Sequence, residues 1–255
     1  MILAMDIGNT NIKVGLWNDT ELAGYWRLAT NKTATSDEYG ILLSNLFAHD
    51  GLDMKQVDGI IISSVVPTIN YTIDHMCQSY FKLNPLFVAM GIKTGINILY
   101  ENPRELGSDR IVNAAAAYTV YGGPVIFIDF GTATSFGAVN ASGSFLGGVI
   151  VPGIKLASEA LGSGTAKLPR FELARPDHVI GRTTLTNLQS GMYYGYIGQV
   201  SHLVKLMKEE MGGNPRVIAT GGMAQMIADG SGVIDQVDGL LTLKGLRIIW
   251  EKNKK

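Results

Sequence analysis

The sequence predicts an α/β protein of two related halves, each with a central mixed sheet, and a cleft between the halves. Three observations carry this. First, an apolar strand ending in an acid occurs twice, as Ile2–Ile7 and as Val125–Asp129. Second, each acid opens an Asp-x-Gly turn followed by small hydroxyl or amide residues, and Asp129 stands 123 residues after Asp6. Third, two further strands follow each turn in the same order. Self-similarity at this spacing marks an internal duplication of an α/β unit.

Taken in chain order, the first half opens as a meander of Ile2–Ile7, Ile12–Trp17 and Leu22–Leu28, with Asn18-Asp19-Thr20 as a turn. Thr35-Ser36-Asp37-Glu38 offers a capping box. Tyr39, Leu42, Leu43, Leu46 and Phe47 then fall at helical spacing on one face. Val57–Val66 is rich in β-branched residues and predicts a buried strand that Pro67 ends. A helix over 68–82, a short strand near Leu86–Ala89 and an alanine-rich helix over Ile111–Tyr121 complete this half. Gly122-Gly123-Pro124 breaks the chain, which divides it into 1–121 and 122–255.

The second half repeats the meander as Val125–Asp129, Thr134–Val139 and Ser144–Ile150, with Asn140-Ala141-Ser142-Gly143 as the turn. A long helical pattern covers Thr184–Met211. Its Gly191, Gly195 and Gly198 mark either close packing or a kink. Arg216–Thr220 predicts a strand running into Gly221-Gly222, with a short helix after it. The segment Lys167–His178, crowded with Pro169, Arg170, Arg175 and Pro176, reads as a loop of unassigned role. The basic tail from Lys252 reads as a frayed, solvated end.

The totals bound the function. The chain has 255 residues, 46% of them hydrophobic and 17% charged, which suits a compact globule. A net charge of −1 gives no basic surface for nucleic acid or membrane, and no apolar run is long enough to span a bilayer. The N-terminus lacks the pattern of a signal peptide. One cysteine, Cys77, excludes a disulfide framework or a zinc box and suits a reducing cytoplasm; it reads as an apolar filler. The four histidines are scattered, with no metal-ligand pair among them.

Phosphate oxygens are bound by close backbone N–H donors, and glycine lets the backbone approach. The paired loops therefore predict nucleoside triphosphate binding. Asp6 ends a strand where it can hold Mg²⁺, and Thr10, Asn11 and Thr132 supply groups for phosphate oxygens. A tight turn needs the same residue types, so it is the pairing of the loops that carries the signal. Neither the P-loop pattern nor Gly-x-Gly-x-x-Gly is present at the first turn. Gly221-Gly222 is either a third contact to the nucleotide or a bare strand-to-helix turn. Asp109, at a helix start, is the candidate catalytic carboxylate. Capping of that helix by Ser108 and Asp109 stands as the other reading. Arg110 is placed to hold a substrate carboxylate.

Four stretches closely resemble type III pantothenate kinase. They are Asp6-Ile7-Gly8-Asn9-Thr10-Asn11-Ile12-Lys13, Tyr100-Glu101-Asn102-Pro103-Arg104-Glu105-Leu106-Gly107-Ser108-Asp109-Arg110, Asp129-Phe130-Gly131-Thr132-Ala133-Thr134 and Gly181-Arg182-Thr183-Thr184. The two Asp-x-Gly loops are shared across the wider actin, hexokinase and heat-shock ATPase superfamily. The Gly-x-Asp-Arg element with its Tyr-x-Asn-Pro lead is more specific. The resemblance implies a duplicated ribonuclease H-like (actin-like ATPase) fold and transfer of phosphate from ATP to pantothenate, the first step toward coenzyme A. It implies that Asp6, Ile7, Gly8, Asn9, Thr10, Asn11, Ile12 and Lys13 form the first ATP loop, with Mg²⁺ at Asp6, and that Thr132 contacts ATP. Asp109 would accept the proton of the pantothenate hydroxyl. Tyr100, Gly107, Ser108, Arg110 and Thr184 would line the pantothenate pocket. Asp129 would bind a monovalent cation, K⁺ or NH₄⁺; that it only echoes Asp6 at a strand end stays open. The resemblance also implies a homodimer, with helices of the second half at its interface. Two alternatives stand beside it: a kinase for another small hydroxyl compound, and a catalytically inactive, nucleotide-responsive regulator of the same fold.

Overall fold

A computed structural model of the chain describes residues 1–254. The chain forms two compact units, the first comprising Met1–Ala116 with the stretch from Leu240 onward, the second Ala117–Gly239.

In the first unit, β1 (Ile2–Ile7), β2 (Asn11–Asn18), β3 (Glu21–Ala29), β4 (Gly59–Ser64) and β5 (Leu86–Phe87) form a sheet in the order β3-β2-β1-β4-β5. β1 runs antiparallel to β2 and parallel to β4. Side chains alternate between faces. Leu3, Met5 and Ile7 share one face with Val14, Leu16, Ile60 and Ile62, under α1 (Ser36–His49) and α2 (Asn70–Met76). The predicted capping box of α1 is formed: Glu38 N–H donates to Thr35 Oγ1 at 3.2 Å, and Thr35 N–H donates to Glu38 Oε2 at 2.7 Å. Of the predicted apolar stripe, Tyr39, Leu43 and Phe47 are buried, Leu46 is partly buried and Leu42 is exposed. The helix expected over 68–82 is a composite: a 3₁₀ turn over Pro67–Ile69, then α2, then a π turn over Cys77–Phe81 that stops at Lys82 in a left-handed conformation. Cys77 is buried in this core, and burial pushes its thiol up to about 12, in keeping with an apolar filler.

The opposite face of the sheet carries Ala4, Gly15 and Gly59 beside larger residues such as Ile61. It is covered by α7 (Leu241–Asn253). A Cβ on Gly59 would sit 2.1 Å from the Trp250 ring, and one on Gly15 would sit 2.9 Å from a Leu243 methyl. This corrects the division at 121/122: the C-terminal helix belongs to the first unit, because glycines on β2 and β4 leave a trough that it fills. Nor is the tail frayed at Lys252 and Asn253. Helix α7 runs through Asn253, whose side chain exchanges two hydrogen bonds with the Lys93 backbone at 3.0 and 2.8 Å. The two-residue β6 (Asn97–Ile98) precedes α3 (Ser108–Tyr121), which begins three residues earlier than expected and carries the chain into the second unit.

In the second unit, β7 (Val125–Phe130), β8 (Ala133–Val139), β9 (Ser144–Pro152), β10 (Arg216–Gly221) and β11 (Gln236–Val237) run in the order β9-β8-β7-β10-β11. The directions match the first sheet strand for strand: β7 antiparallel to β8 and parallel to β10. Ile126, Ile128, Phe136, Val217 and Ala219 pack under α4 (Ile154–Gly164), α5 (Thr184–Met211) and α6 (Ala224–Ser231). Helix α4 was not anticipated. The segment 167–178 has no regular structure and is tied to α5 by Gln189 Nε2 donating to Glu172 O at 3.1 Å and Tyr194 OH donating to Pro176 O at 3.3 Å. Helix α5 is continuous. Among the described residues nothing lies within 4 Å of a Cβ built on Gly191, Gly195 or Gly198, so these glycines mark neither a kink nor a close packing within the described chain.

Candidate active site

The first loop is a tight hairpin. Gly8 N–H donates to Asn11 O at 3.0 Å, Thr30 N–H to Thr10 O at 3.0 Å, and Thr30 Oγ1 to Gly8 O at 2.6 Å. A Cβ on Gly8 would lie only 3.2 Å from Asn11 O, while Asn9 and Thr10 are exposed at the tip. At the base of the hairpin, β-sheet register sets Asp6 opposite Lys13 on β2 and beside Ser63 on β4. Paired positions project to the same face, so the three side chains gather there. Asp6 is 8% exposed, and Lys13 Nζ is 3.5 Å from its Oδ2.

Helix α3 brings the second element to the same unit. Ser108 Oγ lies 3.0 Å from Ser63 Oγ, receives Ser64 N–H at 3.1 Å and donates to Ser64 O at 3.1 Å. Asp109 follows, half-buried, and its Oδ1 accepts the Arg110 N–H at 2.8 Å. Gly107 makes room for that carboxylate, since a Cβ there would lie 2.5 Å from Oδ1. Arg110 is 6% exposed, with its guanidinium 5.6 Å from the Tyr100 ring centre. Stacking on an aromatic ring holds a guanidinium in a fixed orientation. Thus Asp6, Lys13, Tyr100, Ser108, Asp109 and Arg110 all lie in the first unit. Ser63 joins them unanticipated: in the sequence it was one residue in a buried strand, and only pairing across β1 and β4 reveals its place.

In the second unit Asp129 is beside Thr220 on β10 and opposite Ser135 on β8. Thr220 is fully buried, and its hydroxyl has no hydrogen-bond partner among the described residues. The turn is tighter than the first, with Gly131 N–H donating to Ala133 O at 3.1 Å. Gly153 braces it: its N–H donates to Thr132 O at 3.0 Å, and a Cβ on it would lie 2.3 Å from that oxygen. Tyr196 on α5 hydrogen-bonds Thr134 Oγ1 and donates to Pro152 O at 3.3 Å, fixing the turn from below. Burial pushes the Tyr196 phenol up from its ordinary value. Gly221 has φ +96°, and a Cβ on it would lie 2.5 Å from Phe130 O. A backbone requirement therefore accounts for this glycine. The Gly181-Arg182-Thr183-Thr184 stretch builds the start of α5: Thr183 caps it, Thr186 completes a capping box, and Thr184 is exposed in the first turn.

Among the described residues no group of three or more His, Cys, Asp or Glu side chains could hold a metal. Magnesium in phosphoryl-transfer sites takes one or two carboxylates, with phosphates and water completing the shell. The buried carboxylate of Asp6, at the end of β1, fits that pattern. A monovalent cation takes hard oxygen ligands, and Asp129 fits it: its in-register neighbours are hydroxyl residues, and the Thr220 oxygen is unsatisfied.

The architecture is the duplicated ribonuclease H-like (actin-like) α/β fold. Solved structures agree over nearly the whole chain. A putative Baf family transcriptional activator from Campylobacter jejuni is 20% identical, covers 98% of each chain and has a TM-score of 0.61. A putative 2-dehydro-3-deoxygalactonokinase from Sinorhizobium meliloti is 10% identical over 98% of each, with a TM-score of 0.59. The ethanolamine utilization protein EutJ from Carboxydothermus hydrogenoformans is 14% identical over 97% of this chain and 89% of its own, at 0.57. At these identities the likeness establishes fold. The family is narrower: the model of type III pantothenate kinase matches residues 2–206, and the chain belongs to that family of kinases.

Proposed function

We propose that the protein phosphorylates pantothenate with ATP, giving 4′-phosphopantothenate and ADP, as the first step toward coenzyme A in the cytoplasm. The observation that carries this reading is the Asp109–Arg110 pair with Tyr100. It sets a half-buried carboxylate on the Arg110 backbone N–H and a buried guanidinium over the Tyr100 ring, and pantothenate has a hydroxyl to be deprotonated and a carboxylate to be paired.

In this reading the hydroxyl oxygen attacks the γ-phosphorus, the bond to the β,γ-bridging oxygen breaks, and the hydroxyl proton passes to Asp109. Kinase bases mostly orient the nucleophile and take its proton late. Arg110 holds the substrate carboxylate, and Tyr100 and Gly107 shape its surroundings. The N–H groups of Asn9 and Thr10 at the exposed tip and the Lys13 ammonium receive phosphate oxygens. The chemistry Mg²⁺ supplies, held by Asp6, is neutralisation of phosphate charge. Asp129 with Thr220 and Ser135 holds the monovalent cation.

The test is ADP release with pantothenate, beside sugars and other small alcohols, with Mg²⁺ and K⁺ present, and mass spectrometry of the product. Pantothenate-dependent release with a monophosphorylated product is expected. Release with another alcohol only, or none at all, overturns the reading in favour of a different kinase or a non-catalytic regulator.

We also infer a homodimer through α5. The glycine line Gly191, Gly195 and Gly198 is open, and Leu185, Ile180 and Ile150 of the same unit are exposed. Small residues let helices approach closely, and exposed apolar groups favour a partner. Light scattering is expected to give twice the chain mass, with Gly195→Glu monomeric and folded. A monomeric wild type overturns it.

A further inference from the structure

Ser63 is the group that neither the motifs nor the assigned roles absorb. It is fully buried, it stands in register beside Asp6, and its hydroxyl meets Ser108, the residue before Asp109. The hydrogens at this junction can be assigned by counting. A serine hydroxyl has one proton and two lone pairs. Ser108 Oγ donates that proton to Ser64 O and accepts from Ser64 N–H. The contact with Ser63 then has Ser63 as donor, and it uses the last acceptor site on Ser108. Three hydrogen bonds at 3.0–3.1 Å saturate the Ser108 hydroxyl. None of its capacity is left for a substrate, so Ser108 bounds the pocket by its backbone while its side chain acts as a latch.

The latch joins the end of β4 to the first turn of α3. Its effect reaches Asp109 directly, because Asp109 is the next residue and its carboxylate is already committed to the Arg110 N–H. The corresponding hydroxyl of the second unit, Thr220, has no such partner. The pairing is therefore not a by-product of the duplicated strand.

We propose that Ser63 is a positioning residue for Asp109, acting through the Ser108 hydroxyl; this rests on the reading of Asp109 as the proton acceptor. Small misplacements of a reacting group cost up to about a hundredfold in rate. Ser63→Ala is expected to lower kcat about tenfold with the KM for ATP unchanged. The discriminating measurement is a cycle with Asp109→Asn. If Ser63 acts through Asp109, Ser63→Ala costs tenfold in the wild type and little in the Asp109→Asn background. An equal loss in both backgrounds, or none in the wild type, overturns the proposal. If Ser63→Ala does not fold, Ser63→Cys, close in size and a weak donor, takes its place with the same expectations. Hydrogen exchange separates this from the substrate reading. With no pantothenate turnover in the wild type that reading fails, yet faster exchange of the 108–111 amides in Ser63→Ala still supports the latch, and unchanged exchange overturns it.

Discussion

The two units carry the same sheet, β3-β2-β1-β4-β5 in one and β9-β8-β7-β10-β11 in the other, yet their acids stand in different surroundings. Asp6 pairs with Lys13, seven residues on, and Asp129 with Ser135, six on. One residue fewer in the second turn changes what comes opposite the acid: an ammonium in the first unit, a hydroxyl in the second. On the neighbouring parallel strand Ser63 is latched to Ser108, while Thr220 has no partner. The helix after the fifth strand differs too. After β5 it is α3, which opens with Ser108-Asp109-Arg110 behind Gly107; after β11 it is α7, which belongs to the first unit and opens with Leu241 behind Gly239-Leu240. A duplicated backbone thus sets where chemistry can be placed, and side chains at register-equivalent positions decide which chemistry it is.

The largest expected break of this asymmetry is Asp109→Ala, which removes the proposed proton acceptor. A general base contributes about 10²–10⁴-fold, so kcat should fall by that factor while nucleotide binding, followed by calorimetry, stays near the wild-type value. Next is Lys13→Met. Loss of a charged hydrogen bond costs about 1.5–3 kcal/mol, so the KM for ATP should rise about ten- to a hundredfold. Ser135→Ala, its counterpart, should leave ATP binding almost unchanged at saturating K⁺; an equal effect would erase the distinction between the loops. Thr220→Val tests the second acid's setting. It removes the hydroxyl beside Asp129 that the proposed cation would use, with little change of volume. The K⁺ concentration for half-maximal thermal stabilisation should rise several-fold, as should that for half-maximal activity, while Ser63→Val should leave the former unchanged.

Smaller effects concern stability. Gly221→Ala places a side chain at φ +96° and 2.5 Å from Phe130 O, so urea denaturation should show a loss of about 1–3 kcal/mol. Cys77 gives a pH signature confined to the first unit. Its thiol is raised from 9.0 to about 12, so the folded state keeps the proton longer than the unfolded chain. Its contribution is complete below pH 9 and fades as pH rises toward 12. At pH 10 the loss should be about 1 kcal/mol, and Cys77→Ala should flatten that part of the alkaline limb.

Much of this was legible because the signals are local. The apolar runs of Ile2–Ile7 and Val125–Asp129, the capping box at Thr35 and the repeated Asp-x-Gly turns each depend on residues within a few positions. Helix α4 and the C-terminal helix escaped for a definite reason. The stretch Ile154–Gly164 ends in Gly162-Ser163-Gly164, which reads as loop, and α7 is held by Gly15, Gly59 and Lys93, far away in sequence. The tail at Lys252 looked solvated because its partners lie about 160 residues upstream.

By itself the sequence determined that the chain is duplicated, that each half presents an acid-tipped glycine turn, and that Gly107–Arg110 is a separate element. These follow from short-range spacing and from the resemblance its motifs carry. Tertiary structure alone decided which strand each acid faces and where the last helix packs. It also showed that the Ser108 hydroxyl is spent on β4. Those outcomes depend on sheet register and on close approach between distant segments, and a one-residue difference in a turn is enough to change them.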